Sequence, residues 1–180
     1  MTKKEKIGLL AFARATITAT VGGQPLPVFE NPSEAQQSES GCFVTIKQKG
    51  QLRGCIGSFV AQQPLWKTVQ EMAVSAATKD PRFYPMKQAD LAGFSLEISV
   101  LSPLRQASSV DEIIVGTHGI YIVKGICHGV LLPQVATEYG WDRDTFLKHT
   151  CMKAGLPENA WQKDCEIYIF SAEIFGEEPS

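Results

Sequence analysis

Two runs of strict period-two alternation limit the architectures open to this chain more than any other feature. From Gly41 onward, Cys42, Val44 and Ile46 fall on one side of an extended chain and Phe43, Thr45 and Lys47 on the other. The run Phe94–Leu101 (FSLEISVL) alternates in the same way. Such a pattern belongs to strands with one buried face, because successive side chains point to opposite sides of a sheet. Lys49-Gly50 is a turn pair that returns the first run through Leu52, Gly54 and Ile56 as a hairpin.

Helical signals lie between these strands without regular alternation. Residues 4–20 place Ile7, Leu10, Ala11 and Ile17 at helical spacing, and residues 22–40, rich in Gly, Pro, Ser and Glu, are expected to form a long exposed loop. Pro64 suits a helix start, and Leu65, Val69, Met72, Ala73 and Ala76 supply that helix with a buried stripe. It must stop before Asp80-Pro81, since the residue preceding proline disfavours the α region. Ser109-Val110-Asp111-Glu112 has the form of a capping box. Two strands, 119–123 and 129–132, join around Lys124-Gly125. Asp142 can cap a helix burying Phe146, Leu147, Thr150, Cys151 and Ala154, with Gly155 as its left-handed stop. A last strand covers 166–170, and Trp66, Trp141 and Trp161 are expected to pack with their indole N–H groups satisfied locally. Hairpin-paired strands with helices placed irregularly between them make an α+β fold of mostly antiparallel sheets with flanking helices.

The 180 residues suffice for one large domain or two small subdomains sharing a core. With 44% hydrophobic and 20% charged residues, disorder and collagen-like fibres are excluded. Seventeen Lys plus Arg against nineteen Asp plus Glu gives a net charge of −2, so no basic footprint supports nucleic-acid binding. The opening MTKKEKIGLLAFARA breaks its apolar residues with charge, unlike a secretory signal or membrane span, and a cytoplasmic protein is expected. The cysteines, Cys42, Cys55, Cys127, Cys151 and Cys165, are odd in number and form no C-x-x-C pair, which points to free thiols. No metal set is assigned: Cys127 and His128 are adjacent on a strand and point to opposite faces.

The chemistry-bearing residues cluster in a few motifs. In Arg53-Gly54-Cys55-Ile56-Gly57, two glycines flank a thiol and permit backbone angles that other residues resist. On a regular strand Arg53 shares the face of Cys55, and a nearby cation favours the thiolate that nucleophilic or redox cysteines use. The structural alternative makes Cys55 a small core residue. Asp80-Pro81-Arg82-Phe83-Tyr84-Pro85 is a stiff loop in which Asp80 can pair with Arg82 or Arg53 or act as a base, and Arg82 can fork onto a carboxylate or phosphate. Alternatively it is a turn that ends a helix. Glu97 lies opposite Phe94, Leu96, Ile98 and Val100 in parity, as a solvated carboxylate or, if its face lines a cleft, as an arginine partner or general base. His118 sits between glycines in an expected turn, and Gln134 follows a proline where its amide can face a ligand or cap a helix. No complete catalytic triad or nucleotide loop is present, so no cofactor is assigned.

Residues 52–57 (LRGCIG) resemble the signature hexapeptide of the AMMECR domain family, whose prokaryotic members are called AmmeMemoRadiSam system protein A. Further likenesses follow in order at 41–46 (GCFVTI), 76–83 (AATKDPRF), 97–102 (EISVLS), 116–119 (GTHG), 131–136 (LLPQVA) and 153–156 (KAGL). The resemblance implies a single domain over residues 1–180 made of two unequal subdomains with a cleft between them. It also implies a modification pathway shared with a Memo-type protein and a radical SAM enzyme, but no defined reaction.

Two classes of function follow. In the first, the chain is an enzyme or enzyme subunit with a cleft around Arg53, Cys55, Asp80, Arg82 and Glu97, acting on a small anionic or nucleotide-like substrate. Cys55, Asp80 and Glu97 would be catalytic, with Arg53, Gly54, Gly57, Arg82, His118 and Gln134 binding the substrate. In the second, it is a non-catalytic binding or adaptor module whose glycine-rich segment is a recognition surface.

Overall fold

The computed structural model describes residues 1–59 and 62–177. The chain divides into two compact units, one of residues 1–101 with those from 173 onward, the other of residues 102–172.

The first unit opens with α1 (Lys3–Val21), where the Thr2 hydroxyl and the Glu5 carboxylate form a reciprocal capping box. Its buried face is Leu9, Leu10, Phe12, Ala13, Thr16 and Ile17. Ile7, 55% exposed, and Ala11 lie on the other side. Leu10 and Ile17 are buried as expected; the helix has apolar residues on more than one side, so spacing alone did not separate Ile7 and Ala11 from the buried face, which packing chose. The segment 22–40 is also less loop-like than expected. It holds α2 (Glu34–Gln37), capped by Ser33, and Phe29 packs 4.7 Å from Phe12 and 6.1 Å from Trp66.

Strands β1 (Cys42–Gln48) and β2 (Gln51–Ser58) pair antiparallel through Lys49 and Gly50, whose φ values of 51° and 74° are those of a primed hairpin turn. The helix α3 (Leu65–Thr78) follows, with the Pro64 carbonyl accepting from Lys67 and Thr68. It buries Leu65, Val69, Ala73 and Ala76 as expected, together with Thr68 and Ala77, while Met72 is half-buried. A 3-10 turn at Gln88–Leu91 leads to β3 (Phe94–Leu101), which pairs antiparallel with the other edge of β1. The core lies between the helices and the face carrying Val44, Ile46, Leu96 and Ile98.

The second unit holds a short β4 (Arg105–Gln106), a 3-10 turn at Val110–Glu112 capped by Ser109, and the hairpin β5 (His118–Lys124) and β6 (Cys127–Leu131). Next come α4 (Pro133–Glu138) and α5 (Arg143–Lys153). Asp142 Oδ1 accepts the Thr145 N–H at 2.8 Å to cap α5, and Gly155 stops it at φ 72°. The final strand β7 (Glu166–Gly176) pairs antiparallel with β4 and β5, and runs six residues beyond the expected end because Ser171 is still paired with His118 and the strand continues. Phe146, Leu147, Ile120, Ile122 and Ile169 form this unit's core, while Trp161 Nε1 is buried with no acceptor among the described residues. Antiparallel pairing of β1 with β2 and β3, of β5 with β6, and of β7 with β4 and β5, without strand–helix–strand repetition among the described residues, makes the fold α+β. Among the described residues no helix is long and apolar enough to cross a membrane.

Candidate functional site around Cys55

The glycines of the 53–57 segment answer to packing. Neither takes a positive φ. A Cβ on Gly54 would lie 2.2 Å from the Ala76 carbonyl oxygen, so its absence lets α3 settle against β2. A Cβ on Gly57 would lie 2.3 Å from the Phe43 ring, which covers that position. The expectation of strained angles gives way to one of close approach.

The register slips between Ile46 and Lys47: Ile46 faces Gly54, but Lys47 faces Leu52, leaving Arg53 as the extra residue of a bulge. A bulge breaks the alternation and re-aims its side chain. Arg53 therefore goes to Asp90, with Nη2 3.2 Å from Oδ2, and its guanidinium lies 4.4 Å from the Tyr84 ring centroid. Its side chain is 9% exposed and its Nε is buried without a partner among the described residues. Asp90 also accepts the Lys87 N–H at 2.8 Å. Asp90 lies 37 positions from Arg53 and nothing in the local pattern marks it as a partner.

Cys55 resumes the pairing opposite Thr45, and Thr45 in turn faces Glu97, so the three stand in one row across β2, β1 and β3. Thr45 Oγ1 donates to Cys55 Sγ at 3.2 Å. The main-chain groups of Cys55 point away from β1: its N–H donates to Asp80 Oδ2 at 2.8 Å, and its carbonyl accepts from Arg82 Nη2 at 3.3 Å. A residue bonded on that side occupies a non-hydrogen-bonded pair with its partner strand, where cross-strand side chains come closest. That is the local reason the Thr45 hydroxyl reaches the sulfur.

Asp80 is 4% exposed at the end of α3, where Pro81 forces the chain out of the helix. It accepts four hydrogen bonds: from Cys55 N, from Arg82 N at 3.1 Å, from Arg82 Nε at 2.9 Å and from Arg82 Nη2 at 2.7 Å. The Arg82 fork, aided by the two main-chain donors, holds its carboxyl well below the usual carboxylate range, and Arg82 is pushed up in return. The Arg82 side chain is 53% exposed. Both arginines border Phe83, at 5.9 Å for Arg53 and 5.5 Å for Arg82. Glu97 pairs with Lys47 at 3.0 Å, a cation from the neighbouring strand in place of an arginine.

His118 and Gln134 belong to the second unit. His118 is the first residue of β5 and not a turn residue; its Nδ1 lies 3.2 Å from the Ile114 N and 3.1 Å from the Glu112 carbonyl. Gln134 is the second residue of α4, with Oε1 buried and unpartnered among the described residues. All five cysteines are free, and no group of three His, Cys, Asp or Glu side chains able to hold a metal occurs among the described residues.

The sequence profile of AMMECR1 matches residues 10–175, a span that includes Arg53, Cys55, Asp80, Arg82 and Glu97. The chain belongs to the AMMECR1 family. A protein of Methanothermobacter thermautotrophicus is 40% identical to it over 186 residues, covering 99% of this chain and 97% of its own. One from Methanopyrus kandleri is 43% identical over 157 residues, covering 82% of this chain and 76% of its own. The crystal structure of an uncharacterised protein, PH0010, from Pyrococcus horikoshii is similar to this AMMECR1 chain with a TM-score of 0.89 at 35% identity, covering 99% of this chain and 94% of that one.

Proposed function

We propose that this AMMECR1 chain is an enzyme or enzyme subunit whose reactive group is the Cys55 thiol, acting on a small anionic or nucleotide-like substrate. One observation carries this reading. Cys55 is a half-exposed thiol whose main-chain N–H and carbonyl are both held from the outer edge of β2, the first by Asp80 and the second by Arg82, while Thr45 addresses the sulfur. A reactive side chain held this firmly is pre-positioned for chemistry. Asp80, with four donors around it, acts as a positioning group and not a base. The setting that the family resemblance implies is a modification pathway with a Memo-type protein and a radical SAM enzyme.

A second reading, a non-catalytic module, draws on the pairing of both carboxylates: Asp80 is taken by Arg82, and Glu97 by Lys47. Site-resolved alkylation separates the two. Burial raises the thiol of Cys42 to about 12 and pushes up those of Cys151 and Cys165, so these three label slowly in the folded protein. Cys127, also half-exposed, is the internal reference. The enzyme reading expects iodoacetamide to label Cys55 faster than Cys127 and expects Thr45→Val to change the Cys55 rate alone. Equal rates that ignore Thr45→Val favour the binding module.

A further inference from the structure

A cavity of about 310 Å³ lies beside the β1–β2 turn, lined by Gln48, Lys49, Gln51, Leu52 and Arg53. Its charges are unbalanced. Two cations, Lys49 and Arg53, line it and no carboxylate does among the described residues; Asp90 pairs with Arg53 from outside the lining, and Lys87 shares the Tyr84 ring with Arg53, at 5.7 and 4.4 Å. No ion pair engages Lys49 among the described residues. Arg53 is nine-tenths buried and paired with Asp90 through Nη2, while its Nε–H, itself enclosed, has no acceptor among the described residues, and a buried donor left unpaired is costly. The bulge at Arg53 is what brings this guanidinium to the turn, and bulges recur where a side chain must be re-aimed for a ligand.

We infer that this cavity seats a phosphate group, with the Arg53 guanidinium as its buried floor, the Lys49 ammonium as its mobile cation and the Gln51 amide as a neutral donor, the Gln48 amide being engaged by the Asp90 carbonyl. A guanidinium fork matches tetrahedral oxyanions, a flexible ammonium adds a point charge, and an aromatic face steadies the arginine. Free phosphate and a phosphate carried on a substrate share this chemistry. The inference rests on the Cys55 reading only in taking the anion to be the handle of a substrate presented to that thiol, two residues along β2.

Titration calorimetry of the full chain, at constant ionic strength, with inorganic phosphate in one arm and adenosine monophosphate in the other, tests it. Saturable binding is expected, weakened about tenfold or more by Lys49→Glu and by Gln51→Glu, both exposed positions whose melting curves should stay close to the parent's. Tighter binding of the nucleotide marks a substrate-borne phosphate, and equal or tighter binding of inorganic phosphate marks a free anion. Cys55→Ser should bind as the parent does, so an unreactive Cys55 would remove the thiol reading while leaving the phosphate seat standing. No saturable binding in either arm, or binding that is indifferent to both substitutions, overturns the inference.

Discussion

The Asp80 carboxylate closes on the Arg82 guanidinium through two hydrogen bonds, 2.9 Å to Nε and 2.7 Å to Nη2, while the same carboxylate takes the N–H of Cys55 at 2.8 Å. The side chains of one loop thereby occupy main-chain groups on the outer edge of β2. An open edge is a template for unwanted strand pairing, so the fork does two things at once: it blunts the edge and fixes Cys55.

Removing Asp80 should therefore cost more than removing Arg82. Asp80→Ala strands a buried N–H and frees a guanidinium, for an expected loss of about 2–3 kcal/mol. Arg82→Ala should cost about 1–2 kcal/mol: the buried Asp80 carboxylate loses its cation but keeps its two main-chain donors, and the space left by the half-exposed arginine admits water. Urea denaturation of both variants measures the order, and a larger loss for Arg82→Ala would contradict it.

The same fork sets an acid limb. The folded-state pKa of Asp80 is depressed, so its stabilisation is complete above the unfolded aspartate value of about 3.9 and is lost as pH falls below it. The stability gap between parent and Asp80→Asn should be full at pH 7 and close progressively below about pH 4. Denaturation midpoints across that range check it; a gap that widens on acidification has the wrong sign.

Gly54 and Gly57 should respond differently to the same added methyl. At Gly54 it meets the α3 main chain at 2.2 Å, and a helix must shift, so Gly54→Ala should cost about 3 kcal/mol or more. At Gly57 the Phe43 ring can turn away but the Cys42 carbonyl oxygen, 2.7 Å from the added carbon, cannot without a small strand shift, and a smaller loss of about 2 kcal/mol is expected. Thermal melts of the two variants should preserve this order.

Glu97→Gln removes one half of a partly exposed pair and should move stability by less than about 1 kcal/mol. If Glu97 also moves a proton in the proposed chemistry, metabolite profiles of a strain carrying only Glu97→Gln should match those of a deletion strain. A wild-type profile would confine Glu97 to the sheet surface.

Local pattern accounts for much of this molecule. The alternation of Cys42, Val44 and Ile46, and of Phe94 to Leu101, specifies strands because a half-buried sheet face permits few other orders. The Lys49-Gly50 turn, the Ser109 and Asp142 caps and the Gly155 stop are likewise fixed by bonds within a few residues. So are the residue types at the site: a thiol between glycines, and Asp-Pro-Arg at a helix end.

Partner choice lies beyond that range. The bulge that diverts Arg53 depends on how β2 slips against β1, and the pairing with Asp90 spans 37 positions. The Cys55–Asp80 bond spans 25, and the buried face of α1 is selected by the elements packed against it. Such contacts form where sheet register and helix packing bring distant segments together, and the energies that choose among alternative partners are absent from the chain until it has folded. Spacing thus determines the main strands, the hairpin turns and the Ser109 and Asp142 caps, while the tertiary structure alone decides that Arg53 leaves the thiol for Asp90 and that Asp80 and Arg82 hold it.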